Sequence, residues 1–272
     1  MIPMIKLTDG NEIPIIGFGT WQLEKKSCVN SIKMALEIGY RHIDTAYIYN
    51  NQEYVKEGKK AFPRENLFIA SKLWRDHLKP NKVAYECDIT LKQLGVDYLD
   101  LYLVHWPDSS VPLHATVEAM LKLKEKGKIK SIGVSNCTIH HLQDLIDKGI
   151  EVVNNQVEYH PYLNQEKLFK FCKKHQISLT AYSPLAHGEV FKDEGLFQIG
   201  KKYNKTAGQV SLRWLIQKNI IVIPKGSSKE HIKENFEIFD FELSNEDMFI
   251  IDQICHRKNI RQIKPVFNEF DY

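Results

Sequence analysis

Apolar residues along this chain gather into short runs, and between the runs they return at the three- and four-residue spacing of a helix face. The runs IIGF, RHI, LFIAS, LYLV, KSIGV, VVNN, SLTA and IVIP are apolar with little alternation, as strands buried on both faces are. They predict strands at 15–21, 41–45, 66–71, 99–104, 129–134, 152–156, 178–182 and 220–223. Helices are predicted at 27–38, 52–61, 80–94, 113–126, 138–147, 165–175, 206–218 and 228–236. Stop and start residues support these limits. Ser27 is a candidate N-cap, Pro80 opens a helix, Pro63 ends one, and Gly39, Gly95 and Gly127 follow helix ends. Ahead of the first run, Asp9-Gly10-Asn11 predicts a tight turn joining strands at 6–8 and 12–14.

Strand and helix alternate eight times with no linker-like or low-complexity stretch. Each crossover is long enough for a right-handed parallel connection. The expectation is an α/β protein, a (β/α)8 TIM barrel with an N-terminal β-hairpin, forming one domain over residues 1–272. An open doubly wound sheet is the competing architecture. It is weakened because Gly17-Phe18-Gly19 lacks the third glycine of a dinucleotide fingerprint. In a closed barrel all strand ends meet at one rim. Trp21, Asp44, Lys72, His105, Ser135-Asn136, Gln156, Tyr182 and Lys225 fall at those ends. A pocket assembled from distant parts of the chain, and hence an enzyme, is the reading this pattern favours.

Composition narrows the partners. A net charge of +3 from 37 basic and 34 acidic residues gives no nucleic-acid footprint. The basic cluster at 122–128 lies where a helix ends, and there it complements the helix dipole. No apolar run approaches membrane-spanning length, and no export signal opens the chain. Five cysteines without paired spacing point to a reduced, cytoplasmic setting. Eleven histidines show no ligand spacing, so no metal is expected.

Asp44, Tyr49, Lys72 and His105 form the candidate catalytic set. A phenol with a pKa of about 10 is a weak acid near neutrality. An adjacent ammonium favours its ionised form, and a carboxylate holds that ammonium in place. Such a phenol can protonate a carbonyl oxygen while a histidine orients it. The set lacks a hydride, which a cofactor must bring. Each residue has an ordinary alternative: a turn-forming Asp, a covering Tyr, a solvated Lys, a rim-filling His. Tyr47 is a rival to Tyr49.

The strings GFGTW, GYRHIDTAYIY, SKLW, LVHWP, GVSN, NQVEYHPY, AYSPLA and IPKGSS, in this order, resemble the aldo-keto reductase superfamily, from the hairpin to about Asn235. The resemblance implies NADPH-dependent reduction of aldehydes and ketones, with NADH as a second cofactor. By motif position it selects Tyr49 over Tyr47 as proton donor, with Lys72 and Asp44 tuning it and His105 orienting the substrate. It implies cofactor contacts at Thr20, Trp21, Ser135, Asn136, Gln156, Tyr182, Ser183, Leu185, Lys225, Ser227, Ser228, His231, Glu234 and Asn235. Trp21, Trp74 and Trp106 would wall the substrate pocket beside His105.

The chain departs from the family at His231, where arginine is common, and at Gly226, where serine is common. An arginine offers a fixed charge and a fork for a 2′-phosphate, so a reduced NADPH margin is expected. The short 107–112 stretch resembles compact microbial members with open pockets, and Phe267, Phe270 and Tyr272 are candidates for one pocket edge. A monomer is the default. The alternatives are a non-catalytic cofactor-sensing subunit on the same fold and a Schiff-base aldolase using Lys72.

Overall fold

All eight apolar runs contribute to a single parallel sheet. The computed structural model describes residues 2–263. The strands are β3 (Phe18–Gly19), β4 (His42–Asp44), β5 (Phe68–Leu73), β6 (Leu99–Val104), β7 (Ile129–Ser135), β8 (Asn154–Glu158), β9 (Ser178–Tyr182) and β10 (Ile221–Val222). They pair in sequence order from β3 to β10. The two ends meet through a parallel bridge between Ile16 and Val222. Gly17 N–H donates to Val222 O at 2.8 Å and Gly19 N–H to Pro224 O at 3.1 Å, so the sheet closes into a barrel. The closed barrel, not the open sheet, is the fold.

The hairpin is present, but its first strand lies two residues earlier than expected. β1 (Met4–Lys6) pairs antiparallel with β2 (Glu12–Pro14), with Lys6 opposite Glu12. Leu7 to Asn11 therefore form a five-residue loop, closed by Leu7 N–H on Asn11 O and Gly10 N–H on Leu7 O. Leu7 and Ile13 reach Phe68, Leu101, Leu103 and Ile221, so the hairpin plugs the amino-terminal end of the barrel.

Strand periodicity then fixes what faces the barrel axis. Phe68, Ala70, Leu101 and Leu103 join the inner cluster, whereas Ile69, Tyr102 and Val104 pack outward under the helices. Counting by twos along the inner face reaches Asp44, Lys72, His105, Ser135, Gln156 and Tyr182. Gly133 also faces inward. A Cβ there would lie 2.7 Å from Leu103 Cδ2 and 2.8 Å from Asn154 O, so no larger residue fits beside this neighbour.

The outer layer comprises α1 (Lys25–Ile38), α2 (Gln52–Lys59), α3 (Pro80–Leu94), α4 (Leu113–Glu125), α5 (Ile139–Asp147), α6 (Glu166–Lys174), α7 (Glu194–Tyr203), α8 (Ala207–Gln217), α9 (Lys229–Phe236) and α10 (Asn245–Lys258). Ser27 is not an N-cap. The helix begins two residues before it, after Glu24, which makes no side-chain capping bond. Two helices were not expected. In α7 only Leu196, Ile199 and Gly200 are buried, too few to mark a face. In α10 Phe249 and Ile250 are exposed while Ile251 and Ile254 are buried, which blurs the periodicity. No helix among the described residues is long and apolar enough to cross a membrane. The candidate pocket edge at Phe267, Phe270 and Tyr272 lies outside the described residues.

Candidate active site

Asp44 ends β4 and Lys72 lies one residue before the end of β5, both on the inner face. The Lys72 side chain has no exposed surface. Its ammonium donates to Asp44 Oδ1 at 2.5 Å, to Thr45 O at 2.9 Å and to the Tyr49 hydroxyl at 3.4 Å. Asp44 Oδ2 accepts from Gln156 Nε2 at 2.8 Å, so both carboxylate oxygens are engaged. Burial works against the ammonium, but Asp44 and Tyr49 outweigh it and hold the Lys72 pKa above its ordinary value. Lys72 is therefore a cation inside the barrel.

Tyr49 reaches that cation from a single 3-10 turn, Tyr47–Tyr49, ended by Asn50 at φ 54°. An asparagine tolerates this left-handed geometry better than most residues. The competing Tyr47 packs its ring against His77, at 5.6 Å between centroids. Burial raises the Tyr49 pKa, and Lys72 offsets this only in part. The ammonium does favour the ionised phenol, as expected, but burial outweighs it, so the hydroxyl that accepts from Lys72 keeps its own proton in the resting protein.

His105 follows β6 and packs T-shaped against Tyr49 and Trp74, at 5.7 and 5.3 Å between ring centroids. Burial, with Lys72 nearby, holds its pKa well below the ordinary value. The imidazole is neutral at pH 7. Its Nδ1 is buried and makes no hydrogen bond among the described residues.

A polar chain links this centre to the next strand ends. Tyr182 donates its hydroxyl to Asn136 Oδ1 at 2.8 Å. Asn136 Nδ2 donates to His105 O at 3.0 Å and to Ser135 Oγ at 3.1 Å. Ser135 in turn donates to Gln156 O at 2.8 Å. Asn136 sits at φ 57°, which aims its amide back across the rim. Thr20 is buried and donates its hydroxyl to Asp44 O at 2.9 Å.

Thr20, Asp44, Tyr49, His105, Asn136, Gln156 and Tyr182 line a cleft of about 980 Å³, whereas the buried Lys72 and Ser135 do not line it. Tyr49, Trp74, His105 and Trp106 line one end; Lys225, His231, Glu234 and Asn235 line the other; Asn136, Gln156, Tyr182, Ser183 and Leu185 lie between. Trp21 is exposed at the rim, and its ring meets His187 at 5.7 Å. Ser183, Ala186 and His187 all have left-handed backbone, curling the segment after β9 over the cleft. Ser227 and Ser228 do not line the cleft. Ser228 Oγ instead caps α9, accepting from His231 N–H at 3.2 Å. Glu234 Oε1 accepts from the Thr206 hydroxyl at 2.7 Å.

Several lining residues were not anticipated, notably Ile48, His187, Phe191, Pro224 and Ile263. Ile48 sits in the Tyr47–Tyr49 turn, His187 and Phe191 in a 3-10 stretch (Ala186–Lys192), and Pro224 and Ile263 outside any element, so no strand or α-helix periodicity marks them. A second cleft of about 1140 Å³ runs between 107–113, 138–144 and 163–168; none of the Asp44, Tyr49, Lys72 and His105 set lines it. No group of three or more metal-ligating side chains occurs among the described residues.

The donor set suits an elongated ligand with an amide at one end and an anionic group at the other. Amide-bearing and hydroxyl side chains gather beside His105, an aromatic ring lies along the floor, and Lys225 and His231 stand at the far end. A dinucleotide carrying nicotinamide has this form. The sequence profile described as the Aldo/keto reductase family matches residues 15–256. A methylglyoxal reductase from Yersinia pestis is 42% identical over 98% of this chain and 98% of its own length. A glyoxal reductase from Bacillus subtilis is 44% identical over 92% of each chain. A crystal structure of an aldo/keto reductase from Brucella melitensis superposes with a TM-score of 0.89 at 42% identity, covering 93% of this chain and all of that one. By barrel, rim and ordered sequence agreement alike, this chain is an oxidoreductase belonging to the aldo/keto reductase family.

Proposed function

We propose that the protein reduces small aldehydes and ketones to alcohols with NADPH, Tyr49 acting as general acid. One observation carries this reading: the Tyr49 hydroxyl lies 3.4 Å from a wholly buried ammonium and opens on the same cleft as a neutral His105. A bound nicotinamide supplies the hydride, and the chain's residues manage the oxygen that gains charge. His105, neutral in the relevant pH range, orients the carbonyl without competing as an acid. Tyr49 delivers its proton to that oxygen, and Lys72 stabilises the phenolate left behind. Asp44 keeps Lys72 charged and in place, which also argues against a nucleophilic lysine and hence against an aldolase.

Asn136, Ser135 and Gln156 would hold the carboxamide and Tyr182 the ring. Ser183 and Leu185 would meet the pyrophosphate. Lys225, His231, Glu234 and Asn235 line the proposed adenosine end, whereas Ser227 and Ser228 stand outside that lining and Ser228 caps α9. Among the described residues lining that end, Lys225 is the one lysine or arginine. A preference for NADPH therefore rests on it, with a smaller margin than an arginine at 231 would give. The aromatic walls Trp21, Trp74 and Trp106 suit compact carbonyl compounds, and the named activities of the relatives make α-oxo-aldehydes the first substrates to assay. Burial pushes the thiols of Cys28, Cys87 and Cys172 up to about 12. That supports unreactive buried thiols at these three positions. The deciding test is turnover of methylglyoxal and an aromatic aldehyde with each dinucleotide. Absence of turnover with both would sink the reading, and a clear NADH preference would sink its cofactor part.

A further inference from the structure

The helix α3 buries Val83, Glu86, Cys87, Thr90, Leu91 and Leu94, the three- and four-residue stripe of a core-facing helix. A carboxylic acid therefore occupies a position that the pattern reserves for an apolar side chain. Glu86 is fully buried, and among the described residues the one basic side chain it meets is His77. Burying such a group is unfavourable unless every polar atom finds a partner. Here each does. Oε1 accepts from Trp74 N–H at 2.8 Å and from the Tyr102 hydroxyl at 3.4 Å, while Oε2 meets His77 Nδ1 at 2.6 Å.

Two of these three partners bracket one short segment, the turn from Trp74 to His77 that leaves β5 at the rim. Other anchors hold the same turn. Arg75 pairs with Asp108 at 2.8 Å, and the Thr116 hydroxyl of α4 donates to Leu78 O at 2.7 Å. His77 is flanked by the rings of Tyr47 and Tyr85. The charged groups nearest the pair are Asp76 on the turn and Lys82 on α3. Burial pushes the Glu86 carboxyl up to about 8 and, with Lys82, pushes His77 below its usual value. Near neutrality the contact is therefore a carboxylic acid donating to a neutral imidazole. Trp74, whose backbone N–H ends on Glu86, packs its indole T-shaped against His105 and lines the cleft.

We propose that Glu86, with His77, is a positioning residue that fixes the turn after β5 and so aims the Trp74 indole at the carbonyl subsite, setting substrate selectivity from beneath the barrel rim. The inference rests on the reductase reading, with Trp74 as a wall of the substrate pocket. The nicotinamide end of the cleft lies on other strands, so Glu86 acts on the carbonyl compound and not on the cofactor.

Four variants and one spectroscopic label test it. In Glu86→Leu, KM for an aromatic aldehyde is expected to rise about tenfold while kcat stays within about twofold. The Kd for NADPH should not change. Glu86→Gln, which can accept from Trp74 and donate to His77, should return KM to within about twofold of the parent. With 5-fluorotryptophan incorporated, the Trp74 resonance, assigned through Trp74→Phe, should shift or broaden in Glu86→Leu, and the Trp214 resonance should not. His77→Leu removes one partner at a site that is not fully buried, so it serves if Glu86→Leu does not fold; a KM increase of about threefold is expected. An unmoved Trp74 resonance together with an unmoved KM, in whichever of Glu86→Leu and His77→Leu folds, would overturn the proposal. If Trp74→Phe itself leaves aldehyde KM unchanged while the Trp74 resonance still responds to Glu86→Leu, the substrate-wall reading fails instead.

Discussion

An Asp44→Asn substitution keeps the shape of the side chain but strands the Lys72 ammonium in the barrel without a counter-charge. Removing one partner of a buried pair costs about 3–5 kcal/mol, so a large drop in melting temperature is expected by calorimetry, along with loss of turnover. Tyr49→Phe is the sharper functional probe, because it leaves the Lys72–Asp44 pair intact. Its kcat for aldehyde reduction is expected to fall by a factor of about 10²–10⁴, the usual worth of a positioned proton donor, with NADPH affinity preserved. A kcat within a few-fold of the parent would refute the assignment. At this scale the sequence was informative where chemistry coincides with a strand end, as at Asp44, Lys72 and His105. It was silent about Glu86, since a glutamate in a helix reads as solvent-facing until the turn at 74–77 is brought over it.

Single residues also decide how whole segments sit. Beyond α10 the chain returns to the rim, where Gln262 and Ile263 donate backbone N–H groups to the two oxygens of Glu158, at 2.5 and 2.9 Å. His160 Nε2 lies 2.9 Å from the same carboxylate, and His160 Nδ1 accepts from Tyr162 N–H at 3.2 Å; the ring is therefore an Nε2 donor. Burial opposes the Glu158 charge, but these donors prevail and hold its pKa below the ordinary value. The stabilisation they give is present above the unfolded carboxylate range and is lost as pH falls through the depressed folded value. At neutral pH a Glu158→Ala variant should free this segment. Trypsin is then expected to cut after Arg261 at least about tenfold faster than in the parent, since local opening controls such cleavage. Equal rates would show that the carboxylate does not hold the segment. None of this was visible beforehand, because the contact joins residues 104 and 105 positions apart. Regular elements were legible for the opposite reason: their caps and periods are local. The hairpin offset and the start of α1 show the limit, since a five-residue loop and an uncapped helix end leave no local mark.

For the molecule as a whole, the raised Glu86 carboxyl gives stability a pH dependence that runs against acid denaturation. A group whose folded pKa of about 8 exceeds its unfolded value contributes fully below the unfolded value. That contribution is lost as pH rises through the folded one. Glu86→Gln cannot ionise, so its melting temperature relative to the parent should climb between pH 5 and pH 8. A relative gain of at least about 4 °C is expected by thermal denaturation. A constant difference across that range would mean that the carboxyl ionises normally.

The barrel's closure has a bearing on how the chain is made. Its first parallel strand is joined to its last through few bonds, between 15–19 and 222–224, and a Cβ on Gly19 would lie 2.6 Å from Ile223 O. The clasp is reinforced by the Tyr40 hydroxyl on Ile232 O at 3.2 Å. Contacts spanning some two hundred positions form late in folding. On a ribosome, where residues emerge in order, the early strands must wait unfastened until almost the entire polypeptide has been synthesised. Both margins of the proposed cofactor groove are therefore joined only at the final stage, so nascent chains halted before residue 222 should bind no dinucleotide.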